Sequence, residues 1–79
     1  EGMGKAGDTL KQVLDKYDIT QYRFAATMGV ERTSVARWCK GKIDPTGDSI
    51  IEIVRTLKIL NQDAATEFVT TYLSSELDL

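Results

Sequence analysis

The chain has no histidine and one cysteine, Cys39, in 79 residues. A lone thiol cannot close an internal disulfide, and without histidine it leaves metal binding without a convincing ligand set. The same absences speak against catalysis: no imidazole serves as general base, no nucleophile–base pairing is visible, and no glycine-rich loop cradles a phosphate. No apolar run approaches the roughly 20 residues that a membrane span requires. No signal-peptide pattern, strand signal, internal repeat or low-complexity tract stands out. Cysteine usage points to a reducing, cytoplasmic compartment. Neither a cofactor nor a small-molecule substrate is expected.

What is present suits one small folded domain. Apolar residues make up 42% and charged residues 28% of the chain, which is too apolar for disorder. Seventy-nine residues allow one modest core but not a core plus a deep cleft. The net charge of −2 hides a strong asymmetry. Residues 20–42 carry Arg23, Arg32, Arg37, Lys40 and Lys42 against Glu31 alone, a balance of +4. Residues 62–79 carry Asp63, Glu67, Glu76 and Asp78 with no basic residue, a balance of −4. Such a chain attracts a polyanion to one surface and repels it from another.

Five helical patterns follow in order. Residues 1–7, with three glycines, read as a flexible lead-in. Asp8 or Thr9 then caps a first helix with Leu10, Val13, Leu14 and Tyr17 on its inner face, and Asp18 and Ile19 break out of it. Thr20 caps a second helix, Gln21 to Met28, whose inner face is Phe24, Ala25 and Met28. Ala25 and Ala26 are small enough for close helix approach. Gly29 fits a left-handed helix end. A third helix runs from Arg32 to Lys40 and ends at Gly41 in the same way. After the Asp44-Pro45 turn, Thr46 or Asp48 caps an apolar fourth helix holding Ile50, Ile51, Ile53, Val54 and Leu57. Ile59 and Leu60 read as a connection. Asn61 caps a fifth helix to about Ser74, presenting Ala65, Phe68, Val69, Tyr72 and Leu73. The expectation is an all-α, compact five-helix domain. Residues 8–60 form the body of this domain, and residues 61–79 a C-terminal helix and acidic tail for packing or dimerisation.

The segment TQYRFAATMGVERTSVARWCKGK carries the functional signal. Two short helices joined by a turn at Gly29-Val30 fit a helix-turn-helix. Val35, Trp38 and Cys39 form an apolar stripe suited to packing. Thr33, Ala36, Arg37 and Lys40 form a second stripe, free to meet a partner. Arg32 opens the helix, where the dipole disfavours a cation by up to ~1 kcal/mol. A polyanion facing that end would reverse the cost.

Thr20-Gln21, Phe24-Ala25, Gly29-Val30, Thr33-Ser34-Val35, Trp38, Gly41-Lys42, Pro45 and the run Ile50 to Leu57 stand in an order that resembles the lambda-repressor-like, Cro/C1-type (XRE) helix-turn-helix domains. The resemblance covers roughly residues 9–60. It implies a transcriptional regulator, repressor-like and prokaryotic or phage in type, that binds double-stranded DNA in a sequence-specific way through the third helix. It places base reading at Arg32, Thr33 and Arg37, and backbone contact at Gln21, Arg23, Ser34, Lys40 and Lys42. Arginine chemistry agrees, since one guanidinium donates two hydrogen bonds to guanine O6 and N7. Family members commonly form two-fold dimers on half-sites about 34 Å apart. A homodimer through the C-terminal helix is therefore expected, with Phe68, Tyr72 and Leu77 as candidate contacts. A protein-interaction module of the same fold, such as an antitoxin-like partner, is the alternative.

Two positions depart from the family pattern. Cys39 stands where many members carry an acid, and Leu14 matches the arginine that such an acid pairs with, so an apolar contact replaces an ion pair. Cys39 is thus read as core rather than as a redox switch. Glu31 stands where a serine or threonine cap is usual. It favours the helix dipole but repels nearby phosphate. Trp38 reads as core, and Tyr22 either flanks the DNA backbone or covers the first helix.

Overall fold

The computed structural model describes residues 5–76, with side chains through Ser74. Five helices follow in order: α1 Lys5–Lys16, α2 Gln21–Met28, α3 Arg32–Cys39, α4 Gly47–Leu60 and α5 Gln62–Glu76. Among the described residues there is no strand, so the five-helix, all-α expectation holds. Helix α4 packs on α5, α1 lies against both α3 and α5, and α2 lies against α3 and α4. Between them sits a core of Leu10, Val13, Phe24, Val35, Ile53, Leu57 and Phe68, all essentially without solvent contact.

Helix α1 already includes Lys5, Ala6 and Gly7, which lie ahead of the expected caps Asp8 and Thr9 and within the stretch read as a flexible lead-in. The Thr9 hydroxyl donates to the Lys5 carbonyl at 3.0 Å, a bond made from inside a helix turn and not from a cap. Ala6 and Gly7 are buried. A Cβ built on Gly7 would overlap the backbone carbonyl of Trp38, so this glycine is where α1 and α3 touch backbone to backbone. On α2, Ala25 is buried, whereas Ala26, expected with it to let the two helices of the motif approach closely, is exposed.

The other end of α1 closes on a residue ill suited to it. Asp18 sits at φ 58°, Ile19 N–H donates to the Leu14 carbonyl at 2.9 Å and Asp18 N–H to Asp15 at 3.4 Å. That pair of bonds is a left-handed helix end of the kind glycine usually occupies, and it turns Ile19 into the core. Asp18→Gly is expected to raise stability by about 0.5 kcal/mol. Relief of the left-handed strain is partly offset by the extra chain entropy of glycine. A melting curve should move up by roughly 2–4 °C; a lower midpoint would contradict this helix end.

The later caps follow side-chain chemistry. Thr46 Oγ1 accepts from Ser49 N–H at 3.2 Å, so Thr46 and not Asp48 caps α4. Asn61 Oδ1 accepts from Asp63 and Ala64 N–H at 2.9 and 3.2 Å. Ile59 and Leu60 belong to α4 and not to a connection, because no glycine or proline interrupts the helix before the extended Asn61. Ile53 and Leu57 are sealed, whereas Ile51 and Ile59 face outward.

In α5, Ala64, Ala65 and Phe68 enter the core, and Tyr72 stacks on Phe68 with ring centroids 5.9 Å apart. Phe68 is thus unavailable to a second copy, and Leu73 points out of the fold. Leu77 lies outside the described residues. Helix α5 is tied to α1 by a polar cluster in which Lys16 Nζ meets Glu67 Oε1 at 2.8 Å and the Tyr17 hydroxyl donates to the same oxygen at 2.9 Å. The Lys16 hydrogen bond, then that of Tyr17, holds the Glu67 carboxyl below its usual range.

Candidate nucleic-acid interface

Local chemistry builds the two-helix unit from both ends. Thr20 Oγ1 accepts from Arg23 N–H at 3.0 Å and opens α2. Gly29, at φ 85°, closes it: Gly29 and Val30 N–H both donate to the Ala25 carbonyl, at 2.9 and 3.1 Å. Val30 and Glu31 are all that separates this glycine from α3. At the far end Gly41 adopts φ 75°, Gly41 N–H donates to Trp38 at 3.1 Å and Lys42 N–H to Arg37 at 2.9 Å. Glycine recurs here because an L side chain resists the left-handed backbone. The helix proper stops at Cys39, and Lys40 is its capping residue.

Helix α3 is held from behind. Val35, Trp38 and Cys39 are buried, as their spacing requires. Burial pushes the Cys39 thiol up to about 11, against a smaller opposing effect of Lys11. A thiol so protonated is a poor nucleophile, which agrees with a packing role. At the position facing it in the family pattern, Leu14 is buried too.

The outward face has another character. Arg32, Thr33, Arg37, Lys40 and Lys42 are exposed, and Ser34 and Ala36 are half-buried. Thr33, Ala36, Arg37, Lys40 and Lys42 line one open depression of about 250 Å³, with Ala36 its only apolar side chain. Ion pairs among the described residues lie elsewhere, at Lys11–Asp15, Lys16–Glu67 and Arg55–Glu52. Among the described residues, Arg23, Arg32, Arg37, Lys40 and Lys42 form no ion pair.

Not every expected contact residue gathers there. Gln21 is half-buried and lines a separate depression of about 220 Å³ between α1 and the start of α2, with Lys11, Asp15 and Thr20. Arg23 is exposed on α2, and Tyr22 is 67% exposed beside it, so Tyr22 does not cover α1. Lys11 is a cation near Gln21 that the linear pattern did not single out. Its spacing on α1 serves the first helix, and only the tertiary fold brings it to the α2 start.

Among the described residues no His/Cys/Asp/Glu cluster could hold a metal, and no helix is long and apolar enough to cross a membrane. No curated protein and no solved structure matches the chain at a significant level. A family model described as helix-turn-helix matches residues 10–59, which span α2, the turn and α3 entirely. The chain therefore belongs to the lambda-repressor-like (XRE) helix-turn-helix family, whose general function is DNA binding in transcription regulation.

Proposed function

We propose that this protein reads a specific double-stranded DNA sequence and acts as a repressor-like regulator in the cytoplasm, with α3 lying in the major groove. One observation carries the reading: α3 buries Val35, Trp38 and Cys39 while its other face and flanks hold cations that form no ion pair among the described residues. Arg32, Thr33 and Arg37 are the base readers. Gln21, Arg23, Ser34, Lys40 and Lys42 hold phosphates, the lysines as adaptable point charges that add affinity but little selectivity.

Titration of duplex DNA at several salt concentrations tests this. The three phosphate-neutralising cations of one chain, Arg23, Lys40 and Lys42, give a slope of log K on log salt of roughly −3. Binding should weaken by about 40-fold per bound chain between 50 and 200 mM salt, with a preferred site outlasting random duplex. Undetectable binding at low salt would overturn the reading.

A homodimer on paired half-sites is part of the proposal. The α4–α5 side supports it, because Ile59 and Leu73 are exposed there and Val54, Ala65 and Val69 line a groove of about 290 Å³. The same surface supports the second reading, an antitoxin-like module that binds another protein. Stoichiometry on DNA and in solution separates the two.

A further inference from the structure

Glu31 is the only acid between Thr20 and Lys42, and it stands at the end of α3 where base contacts begin. Thr20, Thr46 and Asn61 each spend a side-chain oxygen on the start of the helix they precede. Glu31 has the extended cap backbone, φ −76° and ψ 144°, yet its carboxylate makes no such bond. Among the described residues only its backbone carbonyl is engaged, accepting from Ser34 N–H at 3.0 Å. The side chain is exposed and forms no ion pair among the described residues, although Arg32 is its neighbour. An acceptor-only group is thus left unspent at the head of a basic surface.

Resting on the DNA-binding reading, we infer that Glu31 is a specificity-determining residue that accepts a hydrogen bond from the N4 amino group of a cytosine in the major groove. Facing phosphate, the carboxylate would only repel. Facing guanine O6 and N7, or thymine O4, it meets acceptors and repels again. Two bases offer an amino donor on this edge. Adenine sets the N7 acceptor beside its N6 amino group, against the second carboxylate oxygen, whereas cytosine has a C–H there. Cytosine is therefore the base that Glu31 admits.

Selection from randomised duplexes, run in parallel with the parent, Glu31→Ala and Glu31→Gln, tests the assignment. The parent should fix cytosine at one position of each half-site. Replacing that cytosine should cost the parent on the order of ten-fold in affinity, and Glu31→Ala about two-fold or less. Glu31→Ala should also bind random duplex more tightly, since a repulsive charge is gone. Glu31→Gln should move the preference toward adenine, which a carboxamide reads through N6 and N7. Circular dichroism should show all three equally helical, because the parent side chain makes no bond to lose. The assignment fails alone if the parent selects a site, the variants select the same one, and Glu31→Ala tightens every duplex equally. If the parent binds no duplex at low salt, the functional reading falls with it.

Discussion

Replacing Gly7 by alanine is expected to destabilise the fold by about 3 kcal/mol, the upper end of what overpacking a core costs. In a solvent-exposed helix the same change stabilises by up to ~1 kcal/mol, so the expected sign is opposite to the propensity rule. The reason is the Trp38 carbonyl, which a methyl on Gly7 would overlap. A carbonyl in mid-backbone cannot swing aside as a side-chain tip can. This one also accepts the Gly41 N–H that closes α3, so displacing it loosens that helix end too. Helices α1 and α3 would have to separate, opening the packing around Leu10, Val13 and Val35. For a domain of this size the midpoint of thermal unfolding should drop by roughly 10–25 °C. Gly47→Ala is the matched control: nothing lies within 4 Å of a Cβ there, so it should be neutral or gain a few tenths of a kcal/mol. A Gly7→Ala protein that melts at or above the parent would show that the helices do not touch at this point.

Gly7 also shows where linear reading stops. Glycine near a chain start looks like a breaker, and its small size becomes meaningful only when α3 is placed against it. Features set by neighbours in sequence were legible: Thr20 and Gly29 mark both ends of α2, and the spacing of Val35, Trp38 and Cys39 selects the buried face of α3. Features set by packing were not. Phe68 and Leu73 look alike as apolar residues of one helix, yet the first is sealed and the second exposed, because the face of α5 is chosen by α1 and α4. Gln21 and Lys11 share a depression that no spacing links. For the candidate interface, the sequence supplied the positive charges. That they meet no carboxylate among the described residues is a property of the fold, since Glu67 of α5 could have turned toward another cation. Instead Glu67 is drawn to Lys16 and Tyr17 on α1.

Arg37→Ala should weaken sequence preference while leaving the fold intact. Arg37 is exposed, makes no ion pair among the described residues, and lies one helical turn beyond Thr33 on the face away from Trp38. Its truncation breaks no side-chain hydrogen bond or ion pair among the described residues, so stability should stay within about 0.5 kcal/mol of the parent. On DNA the expected loss is large and uneven. If its guanidinium spans guanine O6 and N7, the preferred duplex should weaken by about 1–3 kcal/mol, roughly 5- to 150-fold. Random duplex should lose much less, having only the cation's general attraction to forfeit. Lys42→Ala supplies the contrast: a phosphate contact should weaken both duplexes alike and reduce the salt slope by about 1. The two variants thus separate the face of α3 from its flank. Equal losses on preferred and random DNA for Arg37→Ala would reassign that arginine to the backbone, leaving base reading to Arg32, Thr33 and the carboxylate of Glu31.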